Sequence, residues 1–310
     1  MRKIKILAAT LAMVCCSADL YAQQNSGIPG RIDRMTMEDR INSGLAFHTH
    51  QSEPVEPFRI LGNVYYVGAL NLASYLVATP EGHILIDTGV HDMPVQIRES
   101  IDKLGFRVED IEIILSSHAH FDHIQGHAIM KRMTGAQVMA SDADADALEA
   151  GQDLSPLAFE GWEPVMVDRR LQDGESITLG GVTLTPTLAP GHTPGCTVWS
   201  LDVEDTGQTY TVGYFGCNGP NAGVQLINNP RFPTLVEDSL TGFDNMAQLD
   251  LDIYLTGHPE QPFEGIEHAM RVQVRPHPLL NQQPWAEFIA ERRAEFLSRV
   301  EAERQQLRLQ

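Results

Sequence analysis

Short apolar runs broken by Gly, Asn and Pro set the rhythm of this chain, and that rhythm predicts strands before helices. Phe58–Leu61, Asn63–Gly68, Ala73–Thr79 and His83–Asp87 read as four strands in close order, separated by Gly, Asn and Pro-Glu-Gly turns. Val95, Ile97, Ile101 and Leu104 then fall near helical spacing, which predicts a helix over Met93–Leu104. Ile111–Leu115 reads as a buried strand, followed by a helix ending near Gly135. In the second half, strands are expected at Gln137–Ala140, Glu163–Val167, Val182–Leu188 and Asp252–Thr256. Between the last two lies a hairpin made of Thr197–Val203 and Thr209–Phe215, with its turn near Glu204-Asp205-Thr206-Gly207. Helices are expected at Asp142–Ala150, Leu235–Gln248 and Trp285–Leu307. Close-set strands with helices interspersed point to an α/β fold of two sheets sandwiched between helical layers.

The N-terminus changes the picture of where the protein works. Met1-Arg2-Lys3-Ile4-Lys5 leads into an apolar run from Ile6 to Ala18, and Ala22 stands before Gln23-Gln24. A basic start, a short apolar middle and a small residue at the cut are the pattern of a secretory signal peptide, with cleavage after Ala22 or Ala18. The run is too short for a membrane span, and Cys15 and Cys16 lack the small residues that precede a lipidated cysteine. The expected organisation is a leader at 1–22 and a single domain at 23–310, the protein residing in the periplasm as a monomer. Residues 23–56 are polar, with a short helix predicted around Met35–Ser43, and read as an arm wrapped on the domain.

The chain has a formal charge of −19, and the leader removes a net of two positive charges, leaving −21. Such acidity disfavours nucleic acid and anionic membrane as partners and leaves a small-molecule substrate. Cys196 and Cys217 remain after cleavage, and the predicted hairpin turn lies midway between them. A simple register places them opposite each other, so a Cys196–Cys217 disulfide is expected, as an exported protein permits.

The chemistry is concentrated in Ser116-Ser117-His118-Ala119-His120-Phe121-Asp122-His123, which packs four potential metal ligands into six residues after the Ile111–Leu115 strand. Imidazole and carboxylate without thiolate suit a hydrolytic zinc site better than a closed structural one. His118 and His120 point the same way on an extended segment, while Asp122 and His123 sit where the chain bends away. Two further histidines follow apolar strands beside sharp turns: His192 in Ala189-Pro190-Gly191-His192-Thr193-Pro194-Gly195, and His258 in Thr256-Gly257-His258-Pro259. Two three-ligand zinc sites then close, His118/His120/His192 and Asp122/His123/His258, giving two Zn²⁺ per chain. His48 and His50 read as arm residues in solvent, His127 as a helix-face histidine, and His83, His91, His268 and His277 have no partners in sequence. Asp142, Asp144 and Asp146 lack the glycine and distal glutamate of a calcium loop and read as an acidic first turn after an N-cap Ser141.

These features resemble the metallo-β-lactamase superfamily: His118-x-His120-x-Asp122-His123, Gly191-His192-Thr193-Pro194-Gly195, Ile84-Leu85-Ile86-Asp87-Thr88-Gly89 and the late His258. The resemblance covers essentially all of the chain after the leader and implies an αββα sandwich with a dinuclear zinc site at one edge. Relatives such as glyoxalase II and lactonases carry Gly-Asp after the hairpin, whose aspartate bridges the metals. This chain reads Phe215-Gly216-Cys217-Asn218-Gly219-Pro220 there. With His123 retained, it is more similar to subclass B3. That resemblance implies a zinc-dependent β-lactamase in which a hydroxide shared by the zincs, oriented by Asp122, attacks the lactam carbonyl. Asn218, and Pro220-Asn221 after it, depart from the subclass, which commonly has serines there; Asn218 or Asn221 is expected to donate to the substrate carboxylate, and Cys217 has an alternative as a thiolate ligand. A secreted lactonase or thioesterase, or a non-catalytic periplasmic zinc-binding protein, are the competing readings.

Overall fold

Alternation along the central strands sends their side chains into two different cores. The computed structural model describes residues 51–152, 161–217, 219–259 and 283–309. The leader, the 35–43 helix, His48, His50, Asn218, His268 and His277 lie outside the described residues. Strands β1 (Phe58–Leu61), β2 (Val64–Tyr66), β3 (Tyr75–Thr79), β4 (Gly82–Ile86), β5 (Ile111–Leu115), β6 (Gln137–Ser141) and β7 (Arg169–Leu171) form one sheet in that order. It is antiparallel from β1 to β4 and parallel from β4 to β7. The second sheet runs β12-β11-β10-β9-β8, built from β8 (Ile177–Leu179), β9 (Val182–Leu188), β10 (Thr197–Asp205), β11 (Gln208–Phe215) and β12 (Ile253–Thr256). Its β11–β12 pair is parallel and its other pairs are antiparallel.

Leu76, Leu85, Ile114 and Val138 face outward, onto helices α1 (Met93–Lys103), α3 (His127–Thr134) and α4 (Asp142–Ala150). Their neighbours Tyr75, Val77, Ile84, Ile86, Ile113 and Leu115 face inward, onto Leu184, Trp199, Leu201, Val212 and Ile253 of the second sheet. Val198, Phe215 and Tyr254 line the far side of that sheet, under α5 (Leu235–Met246) and α6 (Trp285–Arg308). The result is an αββα sandwich. Being buried on both faces is what makes these strands nearly continuous apolar runs.

Three details differ from expectation. Glu163–Val167 forms no strand. Pro164 has no N–H to give a ladder, and the segment instead pins its Val165 N–H and the Trp162 indole to the Leu148 carbonyl at the end of α4. The sheet edge is formed by the short, Arg-rich β7, and β8 adds a second strand that its sequence did not announce. The helix after β5 is two pieces, α2 (Phe121–Ile124) and α3, because the chain turns at Gln125-Gly126 and Gly126 N–H bonds the Gly89 carbonyl. The hairpin turn is Thr206-Gly207, both with positive φ (51° and 80°), the two-residue type that matches strand twist. Continuing its register beyond Val198↔Phe215 brings Cys196 opposite Cys217, which form a disulfide with Cα atoms 6.5 Å apart. Cys217 is therefore unavailable as a thiolate ligand.

Candidate metal centre

The C-terminal ends of β4, β5, β9, β11 and β12 meet at one edge of the sandwich, and each delivers part of a site. β5 ends at Leu115 and leads to His118 and His120; α2 then carries Asp122 and His123. The turn after β9 carries His192, and the turn after β12 carries His258. All six residues expected from the sequence come together as two trios, His118/His120/His192 and Asp122/His123/His258, with candidate ligand atoms within 4.8 Å of one another in each. The trios adjoin: the rings of His118 and His123 are 4.1 Å apart between centroids.

Geometry and chemistry both fit a metal ion in each trio. His123 Nε2 lies 3.2 Å from His258 Nε2, and Asp122 Oδ2 lies 3.4 Å from His258 Nε2 and 3.7 Å from His123 Nε2. Tetrahedral ligands at zinc–nitrogen and zinc–oxygen bond lengths stand about 3.3 Å apart, so this spacing suits three atoms sharing one ion. In the other trio, the Nε2 atoms of His118 and His120 are buried with no hydrogen-bond partner among the described residues. A buried polar atom left without a partner is costly.

The outer nitrogens are held in a way that turns the inner ones toward the site. His118 Nδ1 donates to Ser117 Oγ (3.0 Å), which donates to Asp87 Oδ2 (2.6 Å). His123 Nδ1 donates directly to Asp87 Oδ2 (3.0 Å). His192 Nδ1 donates to the Gly219 carbonyl (2.9 Å), and His258 Nδ1 to the Asn71 carbonyl (3.0 Å). Such partners fix ring orientation and tautomer. Asp87 also accepts Ser117 N–H (2.8 Å) and the Tyr214 hydroxyl (2.5 Å), and it holds a left-handed backbone at φ 57°. A non-glycine residue there costs about 1–3 kcal/mol and persists only where its surroundings over-determine it. Two glycines admit the rings: a Cβ on Gly216 would meet Ser117 Oγ at 2.4 Å and His118 Nδ1 at 2.8 Å, and one on Gly257 would meet His123 Cε1 at 2.6 Å.

Asp144 departs from its expected place. It is buried rather than part of a solvated acidic turn. Its Oδ2 accepts Ala119 N–H (2.8 Å) and the Thr193 hydroxyl (2.7 Å), and its Oδ1 accepts Gly195 N–H (2.7 Å). Ser141 occupies the N-cap position of α4, but its hydroxyl donates to the Gly195 carbonyl instead of capping the helix. One carboxylate thus ties the loop of His118 and His120 to the loop of His192. Helical spacing carried the signal, since Ala147 and Leu148 lie three and four residues on and are buried.

Burial first, then the neighbouring imidazoles, push His118 and His120 well below the usual histidine range, and burial brings His192 down to about 4. Burial alone would raise the Asp122 carboxyl, but the imidazoles of His123, His258 and His120 hold it well below the carboxylate range. Near neutral pH, these three histidines are therefore neutral and the aspartate is anionic, the states that bind metal. His127 is buried at the start of α3 with Nδ1 2.7 Å from Thr88 Oγ1, and His83 packs edge-on against Phe106, so neither joins the site. His91 is exposed on the surface. Asn221 sits in the loop after Cys217, its carbonyl bonded to Arg299 Nη2 (2.8 Å).

Residues 67–258 match the Metallo-beta-lactamase superfamily, and the chain belongs to it. Among solved structures it is similar to BJP-1, a subclass B3 metallo-beta-lactamase of Bradyrhizobium japonicum, with 32% identity, a TM-score of 0.75 and coverage of 84% of this chain and 99% of that one. It is likewise similar to the FEZ-1 metallo-beta-lactamase of Legionella gormanii, at 33% identity and a TM-score of 0.77, covering 82% and 98%. An N-acyl homoserine lactonase of a Bacillus species is 28% identical over 156 residues, 43% of this chain and 59% of that one. The chain spans less than two thirds of the length of the first curated relatives it matches. No described helix is long and apolar enough to cross a membrane.

Proposed function

We propose that this chain is a zinc-dependent β-lactamase of the B3 type, exported to the periplasm after loss of residues 1–22 and acting as a monomer. His118, His120 and His192 hold one zinc, and Asp122, His123 and His258 hold the other. When bound, the metal pair supplies Lewis acidity and makes water a nucleophile at neutral pH. Asp122, kept anionic by its histidine neighbours, orients the attacking water by accepting its hydrogen bond. Ser117, Asp87 and the carbonyls of Gly219 and Asn71 keep the four rings they hold from rotating, so the ligand atoms stand arranged for the metals without reorganising. Asn221, and Asn218 before it, are positioned in sequence to donate to the substrate carboxylate.

The observation that carries this reading is Cys217. It occupies the place where lactonases and glyoxalase II carry a metal-bridging aspartate, and its sulfur is bonded to Cys196. Near full-length similarity to two metallo-beta-lactamases supports it further. The lactonase reading rests on the partial similarity to the Bacillus enzyme. The mature protein with added zinc should turn over a chromogenic cephalosporin in a chelator-sensitive manner. Absence of that turnover, or faster hydrolysis of an acyl-homoserine lactone, overturns the assignment.

A further inference from the structure

The loop that leaves β11 is held from outside by the last helix of the chain. Arg299 on α6 donates from Nη1 to the Pro220 carbonyl (2.7 Å) and from Nη2 to the Asn221 carbonyl (2.8 Å). One turn further, Glu303 accepts Leu226 N–H (2.9 Å) and Ile227 N–H (3.0 Å). The two side chains lie on one helix face at i,i+4 spacing. That helix is anchored by buried Trp285, Phe288, Ile289, Phe296 and Val300. The loop's other end is fixed by the Cys196–Cys217 disulfide.

The consequence reaches His192. Its Nδ1 donates to the carbonyl of Gly219, whose φ of 104° is open to glycine alone. The next residue is Pro220, whose ring locks its own φ. With Pro220 φ locked and the two following carbonyls gripped by a planar guanidinium, the peptide plane bearing the Gly219 oxygen has no free rotation left.

We propose that Arg299 and Glu303 are positioning residues: through the 219–227 loop, the C-terminal helix aims His192 at its zinc and presents Asn221 to the substrate. This rests on the zinc site proposed above. The test uses the purified mature protein and its Arg299→Ala, Arg299→Lys and Glu303→Gln variants, with Arg304→Gln as a control on the same helix. Zinc retention is followed by competition with a chromophoric chelator, and cephalosporin hydrolysis is resolved into kcat and KM.

Losing the support of a ligating histidine typically costs about 10–100-fold in metal affinity. Arg299→Ala should therefore weaken one of the two zincs by about that factor and raise KM more than it lowers kcat. Lysine at 299 should recover part of both effects, and the control should match wild type. Wild-type zinc affinity and KM in folded Arg299→Lys and Glu303→Gln proteins would overturn the proposal, even if Arg299→Ala fails to fold. Weakened zinc in the variants, with no β-lactam turnover by wild type, supports the clamp and rejects the functional reading. A wild-type protein that binds no zinc rejects both.

Discussion

Replacing Asp144 by Asn separates ligand positioning from general stability. The carboxylate accepts from three buried donors, Ala119 N–H, Thr193 O–H and Gly195 N–H. Burial pushes this carboxyl up, and the three donors pull against that shift. An asparagine keeps one acceptor oxygen. In its better orientation it still serves Ala119 and Thr193, but its NH₂ then faces Gly195 N–H, leaving two donors opposed. A hydrogen bond to a charged group is worth about 1.5–3 kcal/mol, and a stranded buried donor costs about 1–3 kcal/mol, so the loss should be about 2–4 kcal/mol. For a domain of this size that lowers Tm by roughly 5–15 °C. Because Ala119 lies between His118 and His120, and Thr193 and Gly195 closely follow His192, the metal effect should fall on the first trio alone. Stepwise chelator titration of the variant should show one zinc weakened about 10–100-fold and the other unchanged. Melting of the metal-free protein reads the stability loss separately. A variant that loses stability with both zincs unaffected, or loses the Asp122/His123/His258 zinc instead, refutes the argument.

Other expectations are more local. His258→Ala should weaken the second zinc and reduce activity while leaving the first site occupied; two zincs retained at wild-type affinity would remove His258 from the ligand set. His127, buried and lowered to about 4 against 6.5 when unfolded, binds its proton more readily in the unfolded chain. Its contribution is therefore complete above pH 6.5 and is lost as pH falls to about 4, a loss of about 3 kcal/mol. Urea unfolding of metal-free wild type and His127→Leu at pH 7 and pH 4.5 should show the smaller acid loss in the variant, and equal losses would contradict it. Cys196→Ser/Cys217→Ser opens a loop spanning 21 residues and should cost about 3 kcal/mol, measured as a lower midpoint in guanidinium; an unchanged midpoint would show the bond to be dispensable.

How much of this was legible in the sequence depended on how locally each feature is encoded. All six candidate ligands were, because each follows an apolar strand at a turn and the first four are nearly contiguous. The disulfide was also legible, since hairpin register is simple arithmetic once the turn is placed. The Glu163–Val167 strand failed because alternation alone cannot distinguish a paired strand from an extended segment lying on a helix, and Pro164 was the overlooked warning. β7 escaped notice because Arg169 and Arg170 are exposed and give no apolar pattern. Asp144 was misread because a run of three aspartates looks solvated, although one of them shares a helix face with Ala147 and Leu148. Arg299 and Glu303 were out of reach. Their partners are backbone groups nearly eighty residues away, and backbone partners leave no trace in side-chain chemistry.

The partners of the four held rings differ in kind, and the difference bears on how the two sites are coupled. His118 and His123 belong to different trios, yet both lean on Asp87, one through Ser117 and the other directly. A carboxylate behind an imidazole raises its basicity as a ligand, so a single buried charge strengthens both sites at once. His192 and His258 lean instead on neutral carbonyls, each supplied by a loop that another part of the chain holds. Asn71 is held by bonds to Gln51, and the two residues after Gly219 by Arg299 of α6. Shared electrostatics therefore sit at the ends of β4 and β5, on the buried floor of the site, where four hydrogen bonds to its carboxylate hold Asp87 in its strained conformation. Independent adjustment sits at the rim, where a change in one loop can retune one site without disturbing the other. Such a division suits a fold that hosts several activities, because the metal chemistry and the substrate specificity then draw on different contacts.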